Sequence, residues 1–319
     1  MYSIGAVLAE VAPEDWDALT ARGDVYYSRG FVAASAPLAG GEPLLLAGEG
    51  AVFPVLLRSD PVDAVTPYGY GGPLVLEPGG DVAGAYGAWC RDRGVLSTFA
   101  VLHPLLPVAQ DGFRVSPLGG TIAWALAGDL EAGMHAHHRR QVRRARGSGL
   151  DSTAAPAPAE LDAFVAVYEE TMRRAGAAPF YFFGADYWAA LLRDVPLVRI
   201  DVAGEDGLAA SVLGMGRPPL LHYHLGGNTE AGRKAGASQL ALLALARWGQ
   251  EQGYTTLHLG GGVGGRADSL LEYKRRFAPG GLVPSAIGKA VHDESAYLRA
   301  AGAGAVDWDG FFPAYREPR

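Results

Sequence analysis

The chain has 319 residues, 49% hydrophobic and 19% charged, which excludes global disorder and, at about 100 to 200 residues per domain, suggests two domains. The formal charge of −7 argues against a polyanionic partner only while it is taken as a single number. Residues 1–128 hold six Arg, no Lys and thirteen acids, whereas residues 129–319 hold 21 residues of each sign. The single Cys90 excludes an internal disulfide and fits a reducing cytoplasm. The N-terminal stretch MYSIGAVLAEVAPEDW lacks a basic region and is a poor signal peptide, and no uncharged apolar run approaches the roughly 18 residues of a membrane span.

Along the chain, residues 51–57 read as a strand, residues 67–73 (PYGYGGP) as a loop and residues 82–93 as a helix stopped by Gly94. Strands follow at 95–102 and 121–126. Asp129 is placed to cap a helix running through 134–146 and ending at Gly147, with an Ala/Pro-rich linker at 151–158. Helices at 159–174 and 185–193 precede strands at 197–202, 208–215 and 220–225. A long helix at 238–252 stops at Gly253, and a strand at 255–259 runs into a glycine-rich loop at 260–265 and a helix at 269–277.

Three segments carry chemistry. Residues 135–146 (HAHHRRQVRRAR) contain five Arg, and no acid occurs between Glu131 and Asp151. On a helix Arg139, Arg143 and Arg146 share one face with Arg140 and Arg144 beside it, a row suited either to phosphates or to solvent. Residues 257–277 match G-x-G-x-x-G at Gly260, Gly262 and Gly265, yet no acidic residue follows at the ribose position and no βαβ repeat surrounds it. A strand, a close-approach loop and a helix carrying Lys274, Arg275 and Arg276 is the better reading. In residues 232–238, Arg233, Gly236 and Ala237 open the long helix in a pattern that can present backbone N–H groups to a pyrophosphate, or simply form a polar turn. His222 and His224 would share a strand face, with His258 nearby. Packing or hydrogen bonding is favoured over a metal site, and Cys90 shows no sign of activation.

From residue 159 the order α, α, β, β, β, α, β, α resembles an acyltransferase fold of the GNAT type. The chain as a whole resembles the Fem-type transferases, a GNAT-related family that includes peptidoglycan-bridge enzymes and BioF2-like domains. The resemblance rests on residues 66–74 (TPYGYGGPL), 99–106 (FAVLHPLL), 138–145 (HRRQVRRA), 223–228 (YHLGGN), 239–262 and 268–277 (DSLLEYKRRF).

The resemblance implies an α/β (α+β) chain of two tandem GNAT-like domains with a cleft between them. The expected divisions are 1–128 as the acceptor-side domain, 129–157 as the basic helix and linker, 158–285 as the donor-side domain, and 286–319 as a segment returning to the first domain. It also implies transfer of an aminoacyl group from aminoacyl-tRNA to an amine. Lys274 matches the family's catalytic Lys, where an ammonium would stabilise the developing oxyanion or the departing ribose oxygen. Tyr68, Tyr70, Phe183, Tyr187, Tyr223 and His224 are candidates for acceptor binding, and Arg139, Arg140, Arg143, Arg144, Arg275 and Arg276 for tRNA binding.

Two departures from the family pattern bear on the acceptor. Val101 and Phe183 stand where relatives often carry Arg, which counts against a nucleotide-linked cell-wall precursor, and the run Phe180–Phe183 points to a more apolar acceptor. The expected function is therefore aminoacyl-tRNA-dependent amide formation on a small peptide or natural-product acceptor, in the cytoplasm, with neither a further cofactor nor a metal. The alternatives are an acyl-CoA N-acyltransferase using Arg233, Gly236 and Ala237, and a non-catalytic RNA- or peptide-binding protein on the same scaffold.

Overall fold

In the computed structural model, which describes residues 8–317, two compact units are built on mixed sheets with the same pairing pattern. The first unit takes the described part of Met1–Leu118 together with Ser285–Arg319, and the second takes Gly119–Pro284.

In the first unit the apolar runs Glu42–Gly48 and Ala51–Arg58 pair as an antiparallel hairpin. Glu49 and Gly50 both take positive φ (52° and 74°), as a tight two-residue turn between right-twisted strands requires. Ala51–Arg58 pairs antiparallel with Asp63–Val65, which pairs parallel with Ser97–Leu102, and that strand pairs antiparallel with Leu282–Val291. The helix Val82–Asp92 buries Tyr86, Trp89 and Cys90 against Leu46, Phe53 and Val55. Burial pushes the Cys90 thiol up to about 12, so it is packing rather than a nucleophile. The buried Asp63 carboxylate pairs with Arg58 at 2.6 Å and Arg316 at 3.1 Å, and Lys289 donates to the Trp308 carbonyl, which fastens the C-terminal segment to this unit.

A second buried pair ties three loops of the first unit together. His103 Nδ1 accepts from the Leu105 N–H, which leaves the ring proton on Nε2, where it is shared with Asp24 at 2.8 Å. The other Asp24 oxygen accepts from the Tyr26 N–H, and Tyr27 donates its hydroxyl to the Gly72 carbonyl. Tyr70 packs edge-on against Tyr26 and His103, and burial raises its hydroxyl to about 12.

The second unit contains β1 (Arg114–Ala125, from Gly119 on), α1 (Leu130–Gly133), α2 (Ala136–Gly147) and β2 (Asp151–Pro156). It continues with α3 (Asp162–Ala175), α4 (Ala185–Asp194), β3 (Leu197–Gly204), β4 (Gly207–Arg217) and β5 (Leu220–Asn228). It ends with α5 (Glu230–Ala235), α6 (Ala237–Glu251), β6 (Thr256–Gly261) and α7 (Ser269–Arg275). The sheet order is β1-β6-β5-β4-β3-β2, antiparallel except for the parallel β5/β6 pair. Antiparallel, antiparallel, parallel, antiparallel therefore recurs in both units, a duplication with no residue-level repeat. The core of the second unit packs α6 residues Leu240, Leu243 and Leu245 with Val142 of α2 and Trp124, Val198 and Leu257 of the sheet. The element order from residue 162 onward follows the expected one, with the short α5 added before α6.

Two local readings are corrected. The single helix expected through 134–146 is two: Asp129 caps α1 by accepting from the Ala132 N–H, the chain breaks at Met134, and His135 caps α2. Residues 151–156, expected as linker, form β2. Ala and Pro are tolerated there because β2 is an edge strand, paired only with β3. Residues 119–157 thus lie in the second unit.

Candidate functional site

Strands β5 and β6 pair parallel over only three rungs, Leu220–Thr256, Leu221–Leu257 and His222–His258. Beyond that point β5 carries a bulge: Leu213 pairs with Leu225 but Gly214 with Tyr223, which leaves His224 as the extra residue. The last paired rung brings the His222 and His258 Nδ1 atoms to 3.2 Å, so they share a proton rather than each pointing to solvent.

Lys274 of α7 sits where the two strands part. Its Nζ donates to the carbonyl of Gly261 of β6 at 2.8 Å and lies 5.8 Å from the ring centre of Tyr223 of β5. The residue is 8% exposed, and burial lowers its pKa from 10.5 to about 8, with Asp268 opposing the shift weakly. The site therefore holds an ammonium at neutral pH in a poorly hydrated setting, where its field is strong. Burial also pushes the Tyr223 hydroxyl up to about 12.

The glycine-rich loop builds this geometry. A Cβ on Gly262 would lie 2.1 Å from the Arg266 carbonyl, so only glycine lets the chain fold back there. Asp268 then caps α7, accepting from the Leu270 and Leu271 N–H groups and, through its other oxygen, from the Val263 N–H. These backbone bonds hold its carboxyl below the usual range. The loop is committed to positioning α7, which accounts for its match to a dinucleotide pattern without that role.

The N-terminus of α2 is bonded to the C-terminus of α7. The His135 N–H donates to the Arg276 carbonyl at 2.8 Å, and His138 Nε2 donates to the Tyr273 carbonyl at 2.9 Å. His138 is buried against Tyr273 and Phe277, which lowers its pKa to about 4 and keeps it neutral. Partial desolvation first, then Arg276 and Arg140, lower the pKa of His137.

The arginines of the expected row play different parts. Arg139 donates to the Ala132 and Met134 carbonyls and braces the break before α2. Arg146 pairs with Glu131, and Arg275 and Arg276 both reach Glu272. Arg140, Arg143 and Arg144 are exposed and make no ion pair among the described residues.

Of the aromatic candidates, Tyr68 and Tyr70 belong to the first unit. Phe183 and Tyr187 are buried in a cluster with Tyr168 and Trp188 rather than lining a surface. An aromatic run after a turn serves a core as readily as a ligand, and here its apolar neighbours enclose it. Tyr187 shares a 2.8 Å hydrogen bond with His224 Nε2, and burial lowers the pKa of His224 to about 3. Tyr223 and His224 are half-buried, and Tyr223 is the candidate that contacts Lys274. The Gly261 carbonyl has no sequence signature and was legible only in the structure.

The turn expected to hold a pyrophosphate does open α6, with Gly236 at φ 88°. Arg233 and Lys234, however, pair with Glu230 at 2.8 and 3.3 Å, and Ala237 is fully buried. A Cβ on Gly236 would lie 2.6 Å from the Gln141 carbonyl of α2.

Residues 133–275, all within the second unit, match the family model described as an acetyltransferase (GNAT) domain. The chain's fold is shared with FemX at a TM-score of 0.65 and 12% identity, over 92% of this chain and 99% of that one. The C-terminal domain of a putative lysylphosphatidylglycerol synthetase from Agrobacterium fabrum is similar at 0.58 and 18% identity, over 89% and 92%. A tandem GNAT protein from the clavulanic acid biosynthesis pathway is similar at 0.51 and 12%, over 90% and 98%. No curated protein matches the chain in sequence. The Fem-type, GNAT-related fold expected from the sequence motifs is thus present. No helix among the described residues is long and apolar enough to cross a membrane.

Proposed function

We propose that this acyltransferase takes an aminoacyl group from aminoacyl-tRNA and forms an amide bond on the amine of a small peptide or natural-product acceptor. The observation that carries the reading is the bonding of α2 to α7. It joins the unpaired Arg140, Arg143 and Arg144 to the helix that holds Lys274, giving phosphate contacts and a reacting centre in one unit.

In this mechanism the acceptor amine attacks the ester carbonyl, and the C–N bond forms as the C–O bond to the terminal ribose breaks. One proton passes from the amine to the departing ribose oxygen. Lys274 stabilises the negative charge that develops first on the carbonyl oxygen and then on the leaving oxygen. Its lowered pKa brings it near the operating pH, where an ammonium can also give up a proton.

An acyl-CoA donor is the second reading, and the Gly236 turn at the start of α6 is its basis. Against it stand the Glu230 carboxylate, which takes up Arg233 and Lys234, and the Gln141 carbonyl, which packs against Gly236. Incubation with charged bulk tRNA and candidate amines tests the two readings together. Amide product that disappears after RNase treatment supports the proposal, and product formed from acyl-CoA alone rejects it.

A further inference from the structure

Two hydroxyls, one on the residue before Lys274 and one on the strand partner of Gly261, are buried without a hydrogen-bond partner among the described residues: Tyr273 OH and Thr121 Oγ1. Thr121 of β1 is the cross-strand partner of Gly261, the residue whose carbonyl receives the Lys274 ammonium. Tyr273 precedes Lys274 on α7 and lies near Tyr223. Leaving a buried hydroxyl unpaired is costly, so two of them on the elements that hold Lys274 and its carbonyl partner call for a purpose.

We propose that Tyr273 and Thr121 are substrate-binding residues of the Lys274 site, and that their hydroxyls hydrogen-bond the ester group of the acyl donor. An aminoacyl ester on a ribose offers a carbonyl oxygen, an ester oxygen and a vicinal hydroxyl, all of which a hydroxyl can serve. Burial keeps the Tyr273 hydroxyl protonated, and so a donor, at neutral pH. The fold bears the unpaired hydroxyls, and substrate supplies the missing bonds. The inference rests on the aminoacyl-ester reading for the identity of the donor, but not for the presence of the subsite.

The test uses the full chain and the variants Tyr273→Phe and Thr121→Val, each close in shape to the original. Thermal unfolding without ligand should show both as stable as the parent or more so. Calorimetric titration with puromycin, an aminoacylated nucleoside that cannot be hydrolysed at its amide, should show each variant about tenfold weaker than the parent. A fall in melting temperature, or equal puromycin affinity, overturns the inference. A parent chain that binds acetyl-CoA instead of puromycin, with both variants weakened, keeps the subsite and rejects the tRNA donor. Binding of neither probe by the parent overturns the subsite as well.

Discussion

The ammonium of Lys274 lies 5.8 Å from the ring centre of Tyr223 while it hydrogen-bonds Gly261, so one side chain touches both strands just past their last shared rung. The ring and the carbonyl offset part of the cost of burying the charge, and the fold accepts the remainder.

That cost predicts a trade between stability and activity at position 274. The folded pKa of about 8 lies below the ordinary 10.5, so between those values the unfolded chain binds more protons and stability rises with pH. Below pH 8 the full penalty is present. Lys274→Met should therefore stabilise the chain at pH 7 by up to about 3 kcal/mol, with the difference fading as the pH approaches 10.5. Urea unfolding at several pH values checks this. Turnover should fall at least about 100-fold in the variant, and in the parent it should decline above pH 8 as the ammonium is lost. Full turnover by the variant would show that Lys274 takes no part in the reaction.

Arg140, Arg143 and Arg144 should act on affinity and not on folding. Replacing each with Gln should weaken tRNA binding, reduce the salt dependence by nearly one counterion per residue, and leave the melting temperature unchanged. Arg139→Gln should instead lower the melting temperature, because Arg139 braces the carbonyls of Ala132 and Met134. Filter binding across a salt series, beside thermal unfolding, separates the two classes.

The buried Asp24–His103 pair should respond asymmetrically. His103→Leu removes one partner of a buried carboxylate and should cost about 3 to 5 kcal/mol, whereas Asp24→Ala removes one partner of the imidazole and should cost about 1 to 3 kcal/mol. Denaturant midpoints of the two variants decide it. Equal losses would contradict this asymmetry.

Gly236→Ala should destabilise the second unit by about 2 to 4 kcal/mol, since it combines a strained positive φ with overlap on the Gln141 carbonyl. A variant as stable as the parent would show that α2 does not close the N-terminal turn of α6.

Much of the donor-side unit was legible in the sequence because its elements announce themselves locally. The apolar period of α6, the Gly253 stop after it and the Asp268 cap of α7 all fall within a few residues of the elements they define. β2 was misread because an edge strand need not be apolar, and the break between α1 and α2 was missed because Arg139, five residues on, stabilises it. The motif singled out Lys274, but the groups its ammonium meets come from strands apart in sequence. Gly261 is thirteen residues away, and Tyr223 arrives only through sheet topology. Phe183 and Tyr187 show the reverse, since side chains that suit a ligand suit a core equally well, and only the packing of α3 on α4 distinguishes them.

The central claim is that Lys274 acts on an aminoacyl ester carried by tRNA. The most direct test is transfer of a radiolabelled amino acid from charged bulk tRNA to a panel of small peptides and amines by the parent chain and Lys274→Met. The account predicts a labelled amide with the parent, none after RNase treatment, and at least about a 100-fold loss with the folded variant. Labelled product at the parent rate from Lys274→Met, or transfer from acetyl-CoA with none from tRNA, would contradict it.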